Sequence, residues 1–298
     1  MILLTGATGF IGPKIAHALR SRDLPVRTLV RDRDPAKSAQ LTAWGCEVVR
    51  GDMTRADSLR AAVEGCDTVV HLVSIRTGKP PQFEAIMAQG TRDLVAAAQG
   101  AGVGRWIQMS ASGVGEETKD LTPYYGAKYA MEQAVEGAGI PYVIFRPTFV
   151  FGRDGGVLPT FIRQVRWLPA TPVVGRGEGR VQPIWIDDTA AFFAEAVQRT
   201  EVSGRAFELG GPDAVSWNEL YDRIRRALGA RRPTLHVPVA VVRTQARLFE
   251  LMPNPLITRD DLKMLTALDH VADVRPAVET FKLPLMPLDE QLRRAAAK

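Results

Sequence analysis

The chain has 298 residues, 46% apolar, 24% charged and 7% aromatic, with 38 basic against 33 acidic side chains and a net charge of +5. That composition excludes a disordered, collagen-like or disulfide-scaffolded chain, and the length suits one large or two small domains. Cys46 and Cys66 share no metal-ligand spacing with the four histidines, so they are expected to be buried thiols, and no metal is expected.

In chain order, the first half alternates short β-branched runs with longer segments of helical period. Strands are predicted at residues 1–4, 26–30, 46–49, 68–73, 105–109 and 142–145. Between them, Ile11, Ile15 and Leu19 share one helical face, and Leu59, Ala62 and Val63 another. Longer helices are predicted over 83–98 and 124–138. This alternation demands a parallel sheet covered on both faces, so the predicted fold is α/β, a Rossmann doubly wound parallel sheet. Residues 1–150 would form the first domain, built on that sheet. After Gly152 the glycines at 152, 155, 156, 175, 177 and 179 break the rhythm, and residues 151–298 read as a smaller C-terminal substrate lobe packed on the sheet edge.

Within that lobe a helix follows Asp187 and Asp188, which read as its acidic cap, a strand covers 206–209, and Ser216 with Glu219 forms a capping box. Leu220, Ile224 and Leu228 then place Arg223, Arg225, Arg226, Arg231 and Arg232 on the polar side and end of an amphipathic helix. No interleaved aromatics or nucleic-acid motif accompany those arginines, so nucleic acid is not expected as a partner. A helix over 239–252 closes the lobe, or rests on a membrane or a partner complex. No apolar run approaches the length of a membrane span, and residues 1–4 are too few for a signal-peptide core, so a cytoplasmic protein is expected.

Two motifs carry chemistry. The first is Thr5-Gly6-Ala7-Thr8-Gly9-Phe10-Ile11-Gly12, between a strand and a helix. Gly6 permits the tight turn, Gly9 lets backbone amides approach a pyrophosphate, and Gly12 lets the helix pack closely on the strand. The helix start then faces the phosphates, and Pro13 fits its first turn. At the end of the second strand a carboxylate would select a 2′-hydroxyl, whereas Arg31 and Arg33 offer forks for a 2′-phosphate; NADP(H) is therefore favoured over NAD(H). The second motif is Tyr124-Tyr125-Gly126-Ala127-Lys128. One helical turn separates Tyr124 from Lys128, so a cation would lie beside a phenol and is expected to lower its pKa toward the range useful for acid–base work.

Taken together, TGATGFIG, Gly51-Asp52-Met53, His71-Leu72-Val73-Ser74, Ser110-Ala111-Ser112, YYGAK and Arg146-Pro147-Thr148 resemble the short-chain dehydrogenase/reductase superfamily, in its extended and atypical branches. The segments from Val181 to Asp188 and from Leu256 to Leu262 are similar to bacterial relatives of the NADPH-binding accessory subunit of respiratory complex I. The resemblance implies Tyr124 as catalytic acid/base, Lys128 on the nicotinamide ribose, and Ser112, rather than Ser110, on the substrate oxygen. It further implies Thr8, Phe10 and Ile11 within the phosphate turn, Asp52 and Met53 beside the adenine, Leu72, Val73 and Ser74 along the cofactor cleft, and Pro147 with Thr148 beside the nicotinamide.

The function so implied is an NADP(H)-binding oxidoreductase that moves hydride to or from a carbonyl or alcohol, the substrate being a small molecule, an apolar carbonyl compound.

 
Met87 stands where many extended members have asparagine, and a thioether cannot replace an amide in a proton relay. Phe151 and Trp185 also depart from the common pattern. A non-catalytic NADPH-binding accessory or assembly protein, associated peripherally with a membrane complex, is therefore a second expectation. A nucleotide-sugar epimerase or dehydratase is a third, with Arg153, Arg163, Arg166, Arg176 and Arg180 available for a diphosphate.

Overall fold

The computed structural model describes residues 1–31, 35–250, 252, 255 and 257–297. In chain order the elements begin β1 (Ile2–Thr5), α1 (Gly12–Arg20), β2 (Val26–Val30), α2 (Pro35–Ala43), β3 (Glu47–Arg50), α3 (Ala56–Val63) and β4 (Thr68–His71). Then come α4 (Pro80–Phe83), a π-helical turn (Glu84–Gln89), α5 (Gly90–Gly100), β5 (Arg105–Met109), α6 (Pro123–Glu136), β6 (Tyr142–Pro147) and β7 (Val150–Phe151). The chain continues through α7 (Leu158–Trp167), β8 (Thr171–Val174), β9 (Arg180–Val181), β10 (Ile184–Trp185), α8 (Ile186–Gln198), β11 (Arg205–Leu209) and β12 (Val215–Ser216). It ends with α9 (Trp217–Leu228), β13 (Thr234–Val237), α10 (Val239–Phe249), α11 (Arg259–Ala267), α12 (Arg275–Phe281) and α13 (Leu288–Ala296).

Seven strands form the main sheet in the order β11-β6-β5-β4-β1-β2-β3. From β3 to β6 the neighbours pair in parallel, so the expected doubly wound Rossmann sheet is present. Thr5 pairs with both Leu29 and His71, and His71 with Gln108, which brings the carboxyl ends of the strands level. The loops that carry the predicted site residues leave the sheet at that edge.

The chain divides into two compact units. The first comprises Met1–Pro147, Ile186–Glu208 and Arg275–Leu283. Aromatic packing explains the two later returns: Phe145 on β6 meets Phe192 and Phe193 on α8, Phe207 on β11 and Phe281 on α12, at centroid distances of 4.9 to 6.1 Å. A separate cluster, including Leu3, Leu59, Val69, Leu94, Trp106 and Val135, joins the sheet to α3, α5 and α6. The second unit comprises Thr148–Trp185, Leu209–Val274 and Pro284–Lys298, and holds three two-stranded pairings, β7 with β10, β9 with β12 and β8 with β13. On α10, Val242 and Ala246 are buried, whereas Val241 and Leu248 are exposed. No helix among the described residues is long and apolar enough to cross a membrane. Cys46 and Cys66 are buried free thiols, as expected.

Arg105 is buried at the start of β5 and donates to carbonyls in the last turn of α8 and in the turn that follows it. Its Nε reaches Ala196 O at 2.8 Å and its Nη2 reaches Arg199 O at 2.7 Å and Val202 O at 3.1 Å. A charged donor suits the negative end of the helix dipole. Arg105→Met fills the same space but strands several buried carbonyls. It should lower stability by about 3 kcal/mol in urea denaturation, and an unchanged midpoint would refute this capping role.

Candidate nucleotide and acid–base site

The glycine turn follows directly from β1. Gly6 has a positive φ of 74°, and Gly9 N–H donates to Gly6 O at 3.0 Å. A Cβ on Gly12 would stand 2.3 Å from Gly6 O and 2.6 Å from the Ala7 Cα, so only glycine lets α1 start this close to the strand. Gly9 is exposed, Thr8, Phe10 and Ile11 are half-buried, and the first turn of α1 carries neither a side-chain cap nor an acidic residue. These features fit a bound diphosphate: an open backbone cradle at the positive end of a helix whose own first turn has no acidic residue.

Behind the turn runs a chain of hydrogen bonds. Leu72 N–H donates to Thr5 Oγ1 (3.4 Å), Thr5 and His71 Nδ1 are 2.6 Å apart, and His71 Nε2 and Thr91 Oγ1 are 3.0 Å apart. Thr91 Oγ1 in turn donates to Met87 O at 2.5 Å. Because the Thr91 proton is committed to Met87, His71 must donate from Nε2 and accept at Nδ1 from Thr5. Burial, assisted by the Lys128 charge, pushes the His71 pKa down to about 3, so the ring is neutral.

Tyr124 and Lys128 lie one turn apart on α6, whose start is capped by Thr122. Lys128 is buried, its Nζ 5.9 Å from the centre of the Tyr124 ring and donating to Met109 O at 2.9 Å. Burial pulls its pKa down to about 8 against the partial support of Glu132. The phenol does not follow the expected direction. Burial raises the Tyr124 pKa, and a hydrogen bond with Ser74 only partly opposes that rise. Tyr124 is therefore a neutral hydroxyl near pH 7, suited to giving a proton.

The structure distributes the serines unexpectedly. Ser74 is the serine beside the Tyr124 hydroxyl, whereas Ser112 lies beside Glu208 on β11. Tyr125 supports the Ser112 backbone, its hydroxyl donating to Ser112 O at 3.0 Å. Burial raises the Glu208 pKa, Ser112 and Arg146 oppose the rise, and Glu208 Oε2 is buried without a partner. Arg146 is mainly committed to the buried Glu132, through 2.9 and 2.6 Å bonds. Ser110 is buried, and its hydroxyl has no partner.

Met87 is wholly buried in the π-helical turn, where its Sδ lies 3.5 Å from Ile75 N and 3.9 Å from Ser74 Oγ. A sulfur acceptor thus faces the serine that touches Tyr124. The predicted continuous helix over 83–98 is interrupted there, and a π-helical turn beside a site is a recurring association.

The remaining predicted residues take varied places. Arg31 is exposed just beyond β2, and Arg33 lies outside the described residues. Asp52 Oδ1 accepts from the amide and hydroxyl of Thr54 at 2.9 and 2.8 Å, while Met53 is buried in the core against Gly90. Leu72 is buried, Val73 half-buried and Pro147 closes β6. Thr148 opens the second unit, its hydroxyl donating to Gln182 O at 2.6 Å. Two residues escaped the sequence reading. Glu208 gave no signal because its strand is far from Ser112 in sequence. Lys37, an unremarked helical lysine, places its Nζ 2.9 Å from Thr8 O and brings a cation to the glycine turn.

A family model described as NAD(P)H-binding matches residues 6–160. The chain is 28% identical over 285 residues to an NAD(P)H azoreductase of Xenophilus azovorans, covering 93% of this chain and 91% of that protein. It is also 28% identical over 300 residues to the mitochondrial NADH dehydrogenase (ubiquinone) 1 alpha subcomplex subunit 9 of Arabidopsis thaliana, covering 95% and 73%. The complex I relationship implied by the sequence is thus found. In fold the chain is similar to the NADPH-dependent quinone oxidoreductase of Escherichia coli complexed with NADPH, with TM-score 0.79, 21% identity and 98% of each chain covered.

Proposed function

The chain belongs to the NAD(P)H-binding family, and from that premise we propose that it is an NADPH-dependent reductase of carbonyl or quinone substrates. The observation that carries this reading is the Tyr124 phenol one helical turn from the buried Lys128 cation, whose Nζ lies 5.9 Å from the centre of the ring. Gly6, Gly9, Gly12 and the start of α1 would hold the diphosphate, Lys128 the nicotinamide ribose, and Arg31 with Lys37 a 2′-phosphate. Bound NADPH supplies the hydride.

The chain's own part is the proton. Tyr124 delivers its hydroxyl proton to the substrate oxygen as that oxygen gains charge, and the C–H and O–H bonds formed leave an alcohol. The resulting phenolate is held by the Ser74 hydroxyl and by the Lys128 charge, and is reprotonated from solvent. Ser112 fixes the substrate oxygen. Glu208 sets what Ser112 offers: when ionised it draws the serine proton to itself, and when protonated it frees that proton for the substrate.

A second reading, a nucleotide-holding accessory protein without turnover, is supported by Met87, whose sulfur supplies no proton donor beside Ser74. NADPH oxidation with a panel of quinones, ketones and azo compounds separates the two. The reductase should consume NADPH with at least one of them and prefer it to NADH. Arg31→Ala combined with Lys37→Ala should raise KM for NADPH about tenfold or more and leave KM for NADH unchanged. Tight NADPH retention without oxidation of any substrate would favour the accessory role, and equal losses for both nucleotides would refute the 2′-phosphate assignment.

A further inference from the structure

The second unit has a feature that nucleotide chemistry does not use. The last turn of α9 and the following loop border a cleft of about 870 Å³ lined by Arg225, Arg226, Arg231 and Arg232 and by one carboxylate, Asp222. Asp222 is bonded to Arg225 Nη2, yet Arg225 Nη1 is buried without an acceptor. Arg226, Arg231 and Arg232 are exposed, and no carboxylate among the described residues pairs with them. Four guanidinium groups against one carboxylate leave a concentrated positive charge.

Large apolar side chains adjoin this cleft. Arg232 Nη2 lies 3.5 Å from the carbonyl of Arg166, itself exposed, and the next residue, Trp167, is 75% exposed. Leu168 follows, also exposed. Thr171 N–H bonds Pro233 O at 2.8 Å, and the parallel pairing of β8 with β13 places Leu235, 55% exposed, opposite Pro172. The arginine cleft and the solvent-facing tryptophan and leucines therefore lie on segments that contact one another.

We propose that this face docks on an anionic lipid bilayer, the arginines binding headgroup phosphates and Trp167, Leu168 and Leu235 entering the interfacial layer. A guanidinium fork matches phosphate oxygens, and tryptophan favours the boundary between headgroup and acyl chain. Charge complementarity selects this occupant. A second copy of the chain would bring like charge to the cleft, and a soluble polyphosphate would satisfy the arginines but leave the apolar side chains in water.

The test uses the full chain in vesicle co-sedimentation. Phosphatidylcholine vesicles with one third phosphatidylglycerol should bind it, pure phosphatidylcholine vesicles only weakly, and raising salt from about 0.1 to about 1 M should release it. Arg226→Glu with Arg231→Glu and Arg232→Glu should weaken binding about tenfold or more. Trp167→Ser, at an exposed position, should weaken it several-fold with little change in salt dependence. Melting temperature and NADPH titration report whether each variant is folded. Equal binding to neutral vesicles, or wild-type binding by the folded variants, would overturn the proposal. So would binding of inorganic tripolyphosphate or a short oligonucleotide in place of vesicles.

Discussion

Tyr124→Phe should lower kcat for the proposed carbonyl reduction by about 10²- to 10⁴-fold, the range for loss of a positioned acid, while NADPH affinity should stay within about twofold. Phenylalanine keeps the ring and its distance to Lys128, so only the hydroxyl and its proton are lost. The pH profile adds an independent check. Lys128 is pulled down to about 8 from an ordinary 10.5, so its cation is present below that pH and lost above it. The kcat/KM of the wild type should fall as pH rises through about 8, because the phenolate left by proton transfer loses its countercharge. Lys128→Met should flatten that limb at a much lower rate. Full activity in Tyr124→Phe, measured by NADPH oxidation, would remove the phenol from the mechanism.

Gly12→Val should destabilise the chain by about 3 kcal/mol or more, the upper part of the overpacking range, and weaken NADPH binding by about 100-fold or more. The added Cβ would fall 2.3 Å from Gly6 O and 2.6 Å from the Ala7 Cα, both backbone positions that cannot rotate away. Relief requires α1 to move off β1, which opens the cradle. Gly9→Ala is the control, since its Cβ would lie 3.2 Å from Gly6 O and Gly9 is exposed. That variant should fold normally and lose only nucleotide affinity. Urea denaturation and fluorescence titration measure both, and a Gly12→Val protein with wild-type midpoint and affinity would contradict the close-packing argument.

Legibility of the fold followed the range of the interactions. β2 and β5 lie at the residues predicted for them, because β-branched runs bounded by turns are local signals. α2 was not visible, since only Leu41 on it is buried and a single apolar position shows no period. β11 was readable as a strand but not as the seventh strand of the main sheet, a placement set by aromatic contacts across dozens of residues. The same limit applies to the site. The glycine turn and the Tyr124–Lys128 spacing are contiguous motifs. The approach of Glu208 to Ser112 and the π-helical turn at Met87 depend on tertiary partners, and burial reversed the expected direction of the phenol pKa.

The bonds from Leu72 through Thr5, His71 and Thr91 to the Met87 carbonyl all point one way. A wire with a fixed polarity and a main-chain oxygen at its terminus has nowhere to deliver charge, and its imidazole stays neutral down to about pH 3. It therefore acts as an electrical insulator, tying the glycine turn to the helix that holds Met87 while barring that route to protons.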